Sequence, residues 1–186
     1  MTRTRVIGLA GWSGAGKTTL LTKLIPVLRR RGLTVATVKH AHHAFDIDQP
    51  GKDSYQHREA GASEVIVSSS RRWVQIHEVG DEPEASLADL LLRVAPRDLV
   101  VVEGFKREAH PKLEVFRDAN EREPLHPDDP HILAVASDRP FPQARIPVLP
   151  LDDVDAIADA VMGLAEPLAS VVARLKDHRS DHGPAH

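Results

Sequence analysis

Eight residues near the start of the chain, Gly11 to Thr18, have the spacing of a phosphate-binding loop. They read GWSGAGKT and match the pattern G-x-x-x-x-G-K-[ST] at every fixed position. The glycines allow the backbone to curl, so that successive N–H groups point at a polyphosphate. We expect Lys17 to contact the β- and γ-phosphates and the Thr18 hydroxyl to bind Mg²⁺. This loop therefore predicts a nucleotide-binding protein.

Magnesium at such a loop requires an acid at the end of a buried strand. The segment LVVVEGF offers Glu103, followed by Gly104, a residue that lets backbone approach a ligand closely. Asp46 and Asp48, in the loop after the second strand, are alternatives for the same role. The residues alone leave this choice open.

A second polar stretch, residues 38–62, combines imidazoles, carboxylates and cations. Its candidate functional residues are Lys39, His40, His42, His43, Asp46, Asp48, Lys52, His57 and Arg58. Three interpretations stay open: a metal site, a solvated polar loop, or a wall facing an anionic ligand. With no Cys in the chain, a transition metal would depend on histidines and carboxylates. Lys106, Arg107 and Lys112 follow the Glu103 strand and could reach the same ligand, which favours an anion.

Base recognition is weakly specified. The N-K-x-D element of ordinary GTPases is missing, and the only asparagine is Asn120. Asp138 ends the strand-like segment ILAVASD, where it could accept hydrogen bonds from guanine or stabilise a turn. Trp12 occupies the position of the signature lysine of ParA-like ATPases, which argues against that dimer-sandwich mechanism.

The bulk composition excludes several classes. The chain has 186 residues, a formal net charge of −3 and no cysteine. That balance does not indicate a nucleic-acid binder, and no apolar run approaches the roughly 20 residues of a membrane span. The absence of cysteine fits a reducing compartment, so we expect a cytoplasmic protein.

Alternating patterns predict an α/β fold. Residues 3–11 and 33–40 read as strands around an amphipathic helix, which is a βαβ unit. A short helix capped by Asp53 or Ser54 follows, then a hairpin from SEVIVSS and RWVQIHEV. Residues 82–96 and 152–175 predict helices, the second capped by Asp152 or Asp153, and residues 98–105, 111–118 and 131–138 predict strands. We expect a three-layer P-loop NTPase domain over 1–174, with a mostly parallel sheet and a β-hairpin insertion, and a disordered tail over 175–186.

Three segments together resemble the MobB-type adaptor proteins of molybdopterin-guanine dinucleotide biosynthesis. They are GWSGAGKTTL, VKHAHHAFDIDQPGKDSYQHREAGA and VEGFKREAHPKLEV. The resemblance implies a SIMIBI-class P-loop fold, a homodimer, and binding of GTP with Mg²⁺ and at most weak hydrolysis. It further implies an adaptor role beside MobA, the guanylyltransferase.

The resemblance also implies roles for individual residues. Gly14, Ala15, Gly16, Lys17, Thr18 and Thr19 would hold the phosphates of GTP, with Gly11 and Ser13 in the same loop. Glu103 would be the acid on the magnesium side. The stretch from His40 to Arg58 would be the family's hallmark loop, suited to anionic molybdopterin.

Two alternative functions share these residues. A P-loop small-molecule kinase would use Arg58, Arg107 and Asp46 around the acceptor. A nickel metallochaperone GTPase would use His40, His42, His43 and His57 as ligands, and the lack of cysteine counts against it.

Overall fold

The computed structural model describes residues 4–41 and 45–182. The chain forms two compact units. The large unit comprises residues 1–40 and 87–186, and the small unit comprises residues 41–86. His42 and His43 lie outside the described residues.

Nine strands and five α-helices make up the described chain. The strands are β1 (Arg5–Ala10), β2 (Val35–Lys39), β3 (Glu64–Ser68), β4 (Trp73–His77), β5 (Leu99–Glu103), β6 (Lys112–Phe116), β7 (Ile132–Ser137), β8 (Val148–Pro150) and β9 (Glu166–Pro167). The helices are α1 (Lys17–Arg30), α2 (Asp53–Glu59), α3 (Leu87–Arg93), α4 (Val154–Leu164) and α5 (Leu168–His182), and a 3₁₀ turn spans Asp118–Asn120.

The large unit is built on a seven-stranded sheet in the order β2-β5-β1-β6-β7-β8. These six strands are parallel, and β9 pairs antiparallel with β1. Parallel strands covered on both faces read as continuous apolar runs, and β5 is buried along its whole length. The predicted mostly parallel α/β fold is confirmed.

Two hydrophobic clusters hold helices against the two faces of this sheet. One joins α1 and α4 to the strands through side chains that include Leu24, Leu28 and Ile157. The other includes Leu91 of α3 and Leu175 of α5, packed with Val100 and Val102 of β5. The result is the expected three-layer arrangement, in which the carboxyl ends of β1, β2, β5, β6 and β7 meet at one edge.

The C-terminal region differs from the single helix predicted over 152–175. Helix α4 ends at Leu164, β9 pairs with β1, and α5 starts at Leu168, whose N–H donates to the Thr4 carbonyl over 2.9 Å. Pro167 cannot donate an amide hydrogen, so a break in the helix is inexpensive there. Helix α5 continues to His182 with Leu175 buried, so the expected tail from residue 175 is helical as far as the structure describes it.

The predicted helix caps have mixed outcomes. Asp153 caps α4, and its carboxylate accepts the Ala156 N–H over 3.0 Å. Helix α2 begins at Asp53 after Lys52, which provides no side-chain cap. Ser54 donates instead to the Asp48 carboxylate over 2.8 Å, so the predicted cap by Asp53 or Ser54 is wrong.

The small unit contains α2 and the predicted hairpin. Strands β3 and β4 pair antiparallel, from Glu64 opposite His77 to Ser68 opposite Trp73. Side chains alternate between the two faces of a strand, and Val65 is buried whereas Ile66 and Trp73 on the other face are 63% and 67% exposed. No helix within the described ranges is long and apolar enough to cross a lipid bilayer.

Candidate functional site

The loop between β1 and α1 has the curled backbone that its glycines predict. Gly11, Gly14 and Gly16 have φ values of 139°, 81° and 89°, a region that side-chain-bearing residues rarely adopt. A Cβ at Gly11 would lie 2.5 Å from the Val115 carbonyl oxygen, so the neighbouring strand β6 also requires glycine there. Helix α1 starts at Lys17, which places its free N–H groups and positive dipole end in this loop.

The Lys17 ammonium group lies along the loop. Its Nζ donates to the carbonyl oxygens of Gly11 and Trp12 over 2.8 and 2.9 Å. Burial lowers the pKa of Lys17 below its usual range; Glu103 opposes this shift, and Lys106 and Lys39 add to it. Three lysines and one carboxylate close together give this end of the sheet a net positive charge, which suits a polyphosphate.

Glu103 reaches this loop because β5 pairs directly with β1. The Thr18 hydroxyl donates to Glu103 Oε1 over 2.8 Å, and Lys39 Nζ lies 3.5 Å from the same oxygen. Glu103 itself is only 8% exposed. A hydroxyl and a carboxylate side by side are oxygen donors of the kind that Mg²⁺ takes together with water and phosphate oxygens. The two predicted metal-side residues, Thr18 and Glu103, therefore lie together.

The turn after Glu103 is fixed by His40 and Gly104. Gly104 has a φ of 92°, and a Cβ there would lie 2.9 Å from the His40 Cβ. The His40 ring contacts the Phe105 ring at a centroid distance of 4.9 Å. His40 thus lies just after the end of β2, as predicted, and packs against the turn that follows Glu103.

Two cations contact the ring of Trp12. The Lys106 ammonium lies 4.4 Å and the Arg122 guanidinium 5.6 Å from the centre of its ring. The indole N–H donates to the Glu123 carbonyl over 2.8 Å. Cation–π contacts of this kind stabilise by about 0.5–2 kcal/mol each, and they connect the phosphate loop to the segments after β5 and β6.

Sequence reasoning assigned no role to Arg117 or Asn120. Both follow β6, the other strand beside β1, and both lie against the phosphate loop. Asn120 donates to the Ser13 carbonyl over 3.2 Å, and a Cβ at Gly16 would lie 3.0 Å from Arg117 Nε. The one sequence feature that could have pointed to Arg117 and Asn120 is their position just after a buried strand. That position indicates the phosphate loop only once β6 is known to pair with β1.

Asp138 is exposed and directly follows β7, which ends at Ser137. Its carboxylate accepts the Asp118 N–H over 2.9 Å, so it supports the segment after β6. The neighbouring Arg139 pairs with the Asp118 carboxylate over 2.7 Å. Of the two roles that the sequence left open for Asp138, the structure shows stabilisation of a turn. Recognition of guanine by Asp138 stays a prediction.

Within the small unit, carboxylates surround Arg58. Its guanidinium lies 3.0 Å from Asp46, 3.4 Å from Asp48 and 2.5 Å from Glu78. The Asp48 N–H and the Arg58 guanidinium hold the pKa of Asp46 below its usual range. Asp46, Asp48 and Arg58 thus bind one another, and their predicted ligand roles remain expectations.

Other residues of the polar stretch are exposed, and metal ligation is not supported among the residues described. Lys52 and His57 are exposed in and before α2. Outside the masked positions, no three His, Asp or Glu side chains form a group that could hold a metal ion. The nickel interpretation therefore gains no support from residues 4–41 and 45–182.

The parallel sheet with a curled G-x-x-x-x-G-K-T loop leading into a helix defines a P-loop protein of the α/β class. The family model for molybdopterin guanine dinucleotide synthesis protein B, MobB, matches residues 6–138. The chain belongs to the MobB family.

Relatives and solved structures agree with this assignment. The molybdopterin-guanine dinucleotide biosynthesis adapter protein of Escherichia coli K12 is 46% identical over 160 residues, covering 84% of this chain and 91% of the relative. The Haemophilus influenzae protein of the same name is 40% identical over 159 residues, covering 84% and 86%. A crystal structure of molybdopterin-guanine biosynthesis protein B matches with a TM-score of 0.68 and 29% identity, covering 86% of this chain and 99% of that one.

Proposed function

We propose that the protein is a GTP-binding adaptor in molybdenum cofactor biosynthesis that assists a MobA-type guanylyltransferase in the cytoplasm. The observation that carries the nucleotide part is the phosphate loop with Thr18 and Glu103 in hydrogen-bond contact over 2.8 Å. The names of the Escherichia coli and Haemophilus influenzae relatives support the adaptor part.

In this proposal each residue of the site has a physical role. The backbone N–H groups at the start of α1 and the Lys17 ammonium bind the phosphates. Thr18 and Glu103 would hold Mg²⁺, which would neutralise charge on the β- and γ-phosphates. Lys39 and Lys106 contribute positive charge close to Glu103 and Lys17.

Slow hydrolysis belongs to the same proposal. The large unit contains a single glutamine, Gln143, in an exposed loop before β8. The segments of the large unit that adjoin the phosphate loop therefore carry no glutamine that could orient an attacking water, which is the role that glutamine has in fast GTPases. A protein that holds GTP without consuming it quickly suits an adaptor better than a small-molecule kinase.

We also propose a homodimer and an anionic ligand, molybdopterin, for the stretch from His40 to Arg58. The exposed apolar pair Ile66 and Trp73 on the hairpin supports association with a second copy. The exposed Lys52 and His57 support binding of an anion.

Calorimetric titration with GTP and with ATP, in the presence of Mg²⁺, tests the nucleotide assignment. We expect GTP to bind more tightly than ATP. Lys17→Ala should weaken binding by roughly 100-fold or more, because several charge-assisted hydrogen bonds are lost together. Lys23→Ala is the matched control, since Lys23 is an exposed lysine on the same helix.

Two outcomes would contradict the proposal. Unchanged affinity in Lys17→Ala would refute the phosphate site, and a preference for ATP would place the kinase interpretation first. Failure of the purified guanylyltransferase to associate with the GTP-loaded protein in a pull-down would refute the adaptor role.

A further inference from the structure

The segment Arg117–Glu123, here called the β6 loop, forms a second wall of the phosphate loop. The Asn120 amide donates to the Ser13 carbonyl over 3.2 Å, and Trp12 donates to the Glu123 carbonyl over 2.8 Å. A Cβ at Gly14 would lie 3.3 Å from Asn120 Oδ1. These contacts fix the β6 loop against the backbone that is expected to surround the phosphates.

Arg117 is the cation of this wall that lies against the backbone of Gly16. A Cβ at Gly16 would lie 3.0 Å from its Nε and 3.5 Å from its Nη2, so the guanidinium packs on the Gly16 backbone at the start of α1. The side chain is partly buried. It makes no hydrogen bond or ion pair with any residue that the structure describes, whereas Arg31, Arg139 and Arg174 each pair with a carboxylate.

The strand order indicates which phosphates Arg117 faces. Lys39 and Glu103 come from β2 and β5, on one side of β1, and Thr18 contacts Glu103 on that side. In phosphate-loop proteins Mg²⁺ binds oxygens of the β- and γ-phosphates. Thr18 and Glu103 are the residues that would hold this ion, so the γ-phosphate would lie on the β5 side of the loop. Arg117 comes from β6, on the opposite side of β1, and reaches the first turn of α1 from there.

Resting on the proposed function, we propose that Arg117 is a phosphate-binding residue for the α- and β-phosphates of the nucleotide, the two that GTP and GDP share. A guanidinium offers a planar fork of N–H donors that matches two phosphate oxygens. Its partial burial beside the helix N-terminus makes such hydrogen bonds stronger than they would be in open water. Asn120 is a positioning residue, since it holds the β6 loop on Ser13 without itself contributing a charge.

The test compares affinities for GTP and GDP in matched variants, measured by calorimetry. We expect Arg117→Ala to weaken both nucleotides by the same factor, roughly 10- to 100-fold, because it removes charge-assisted hydrogen bonds common to the two. Arg117→Lys keeps the charge but loses the fork, so its affinities should lie between those of the wild type and Arg117→Ala. Arg30→Ala is the control: it removes the same charge from an exposed position in the last turn of α1, at the opposite end of that helix from the phosphate loop, and should change either affinity by less than about twofold.

Each result decides the proposal. Equal losses for GTP and GDP in Arg117→Ala, absent in Arg30→Ala, support it. A loss confined to GTP would place Arg117 at the γ-phosphate, and unchanged affinities would show that Arg117 only packs against the loop; both overturn it. Equal losses in the two alanine variants would assign the effect to net charge and overturn it as well.

This result is separable from the proposed function. If Lys17→Ala abolishes binding while Arg117→Ala does not change it, the Arg117 proposal alone has failed. If the wild type prefers ATP, the proposed function has failed, and the comparison of ATP with ADP decides Arg117 by the same criteria. A melting curve of each variant separates weak binding from lost folding, and Arg117→Lys carries the test if Arg117→Ala does not fold.

Discussion

At the scale of single residues, the Thr18–Glu103 pair is the contact that gives the phosphate loop its chemistry. Glu103 lies at a strand end with its carboxylate nearly buried. Lys39 compensates its charge, and the Thr18 hydroxyl donates a hydrogen bond to it. The Thr18 hydroxyl and the Glu103 carboxylate form a pair of neighbouring oxygen donors. Its geometry fits a cation held by oxygen ligands.

This pair predicts how magnesium affects binding. Glu103→Gln keeps an oxygen to accept the Thr18 hydroxyl but removes the negative charge. We expect the Mg²⁺ concentration needed for half-maximal GTP binding to rise roughly 10- to 100-fold, as for other changes around a metal site. Titration of GTP binding against Mg²⁺ measures this, with Glu108→Gln as the control because that carboxylate lies beyond the turn. Unchanged Mg²⁺ dependence would remove Glu103 from the metal site.

At the scale of elements, the β3–β4 hairpin stands out because two strands alone rarely form an independent structure in water. One face of the hairpin carries Val65, which is buried, and the other presents Ile66 and Trp73 with more than half of each side chain exposed. Apolar exposure of this size on neighbouring positions typically marks an interaction surface. The proposed homodimer gives this face a partner.

The hairpin therefore makes a prediction about assembly. Ile66→Ser combined with Trp73→Ser should shift the protein from dimer to monomer, because the double change removes the apolar area that association would bury. Light scattering coupled to size-exclusion chromatography measures the mass directly. Leu92→Ser, an equally polar change at an exposed leucine of α3, should leave the mass unchanged. A dimer that survives the double change would place the interface elsewhere.

At the scale of the whole molecule, buried ionisable groups link stability to pH. His110 is fully buried before β6, its Nδ1 faces the Glu108 carbonyl at 3.1 Å, and its Nε2 has no partner among the residues described. A Cβ at Gly8 would overlap the imidazole, so β1 accommodates this ring only through a glycine. Burial, and then the nearby Lys112, lower the pKa of His110 to about 3.

The direction of the pH effect follows from this shift. The unfolded chain takes up a proton on His110 below pH 6.5, whereas the folded protein does not until about pH 3. The contribution of neutral His110 to the free energy of unfolding is therefore complete above pH 6.5. It decreases by about 1.4 kcal/mol per pH unit as the pH falls from 6.5 toward 3.

Urea unfolding at pH 7, 6 and 5 measures this dependence. We expect the free energy of unfolding to decrease by about 2 kcal/mol between pH 7 and pH 5 because of His110. His110→Gln should flatten the decrease by that amount, and His57→Gln, at an exposed position of the small unit, should keep the wild-type slope. An unchanged slope in His110→Gln would show that His110 does not cause the effect.

Local patterns in the sequence determined a large part of the structure. The phosphate loop, the βαβ unit, the hairpin, strands β5 to β7 and the Asp153 cap all follow from glycine positions, apolar periodicity and capping residues within short windows. The nucleotide-binding interpretation rests on the same short range, because a phosphate loop is built from consecutive residues. Resemblance over three segments added the family, which the comparison confirmed.

Only the tertiary structure decided which distant residues share the site. Pairing of β5 with β1 brings Glu103 to Thr18, pairing of β6 with β1 brings Arg117 and Asn120 to the same loop, and Asp46 and Asp48 bind Arg58 within the small unit. The break between α4 and α5 likewise depends on the edge that β1 offers to Glu166 and Pro167. The physical reason is that strand order is set by the packing of the whole sheet. No local sequence pattern predicts a contact between residues that are about a hundred positions apart.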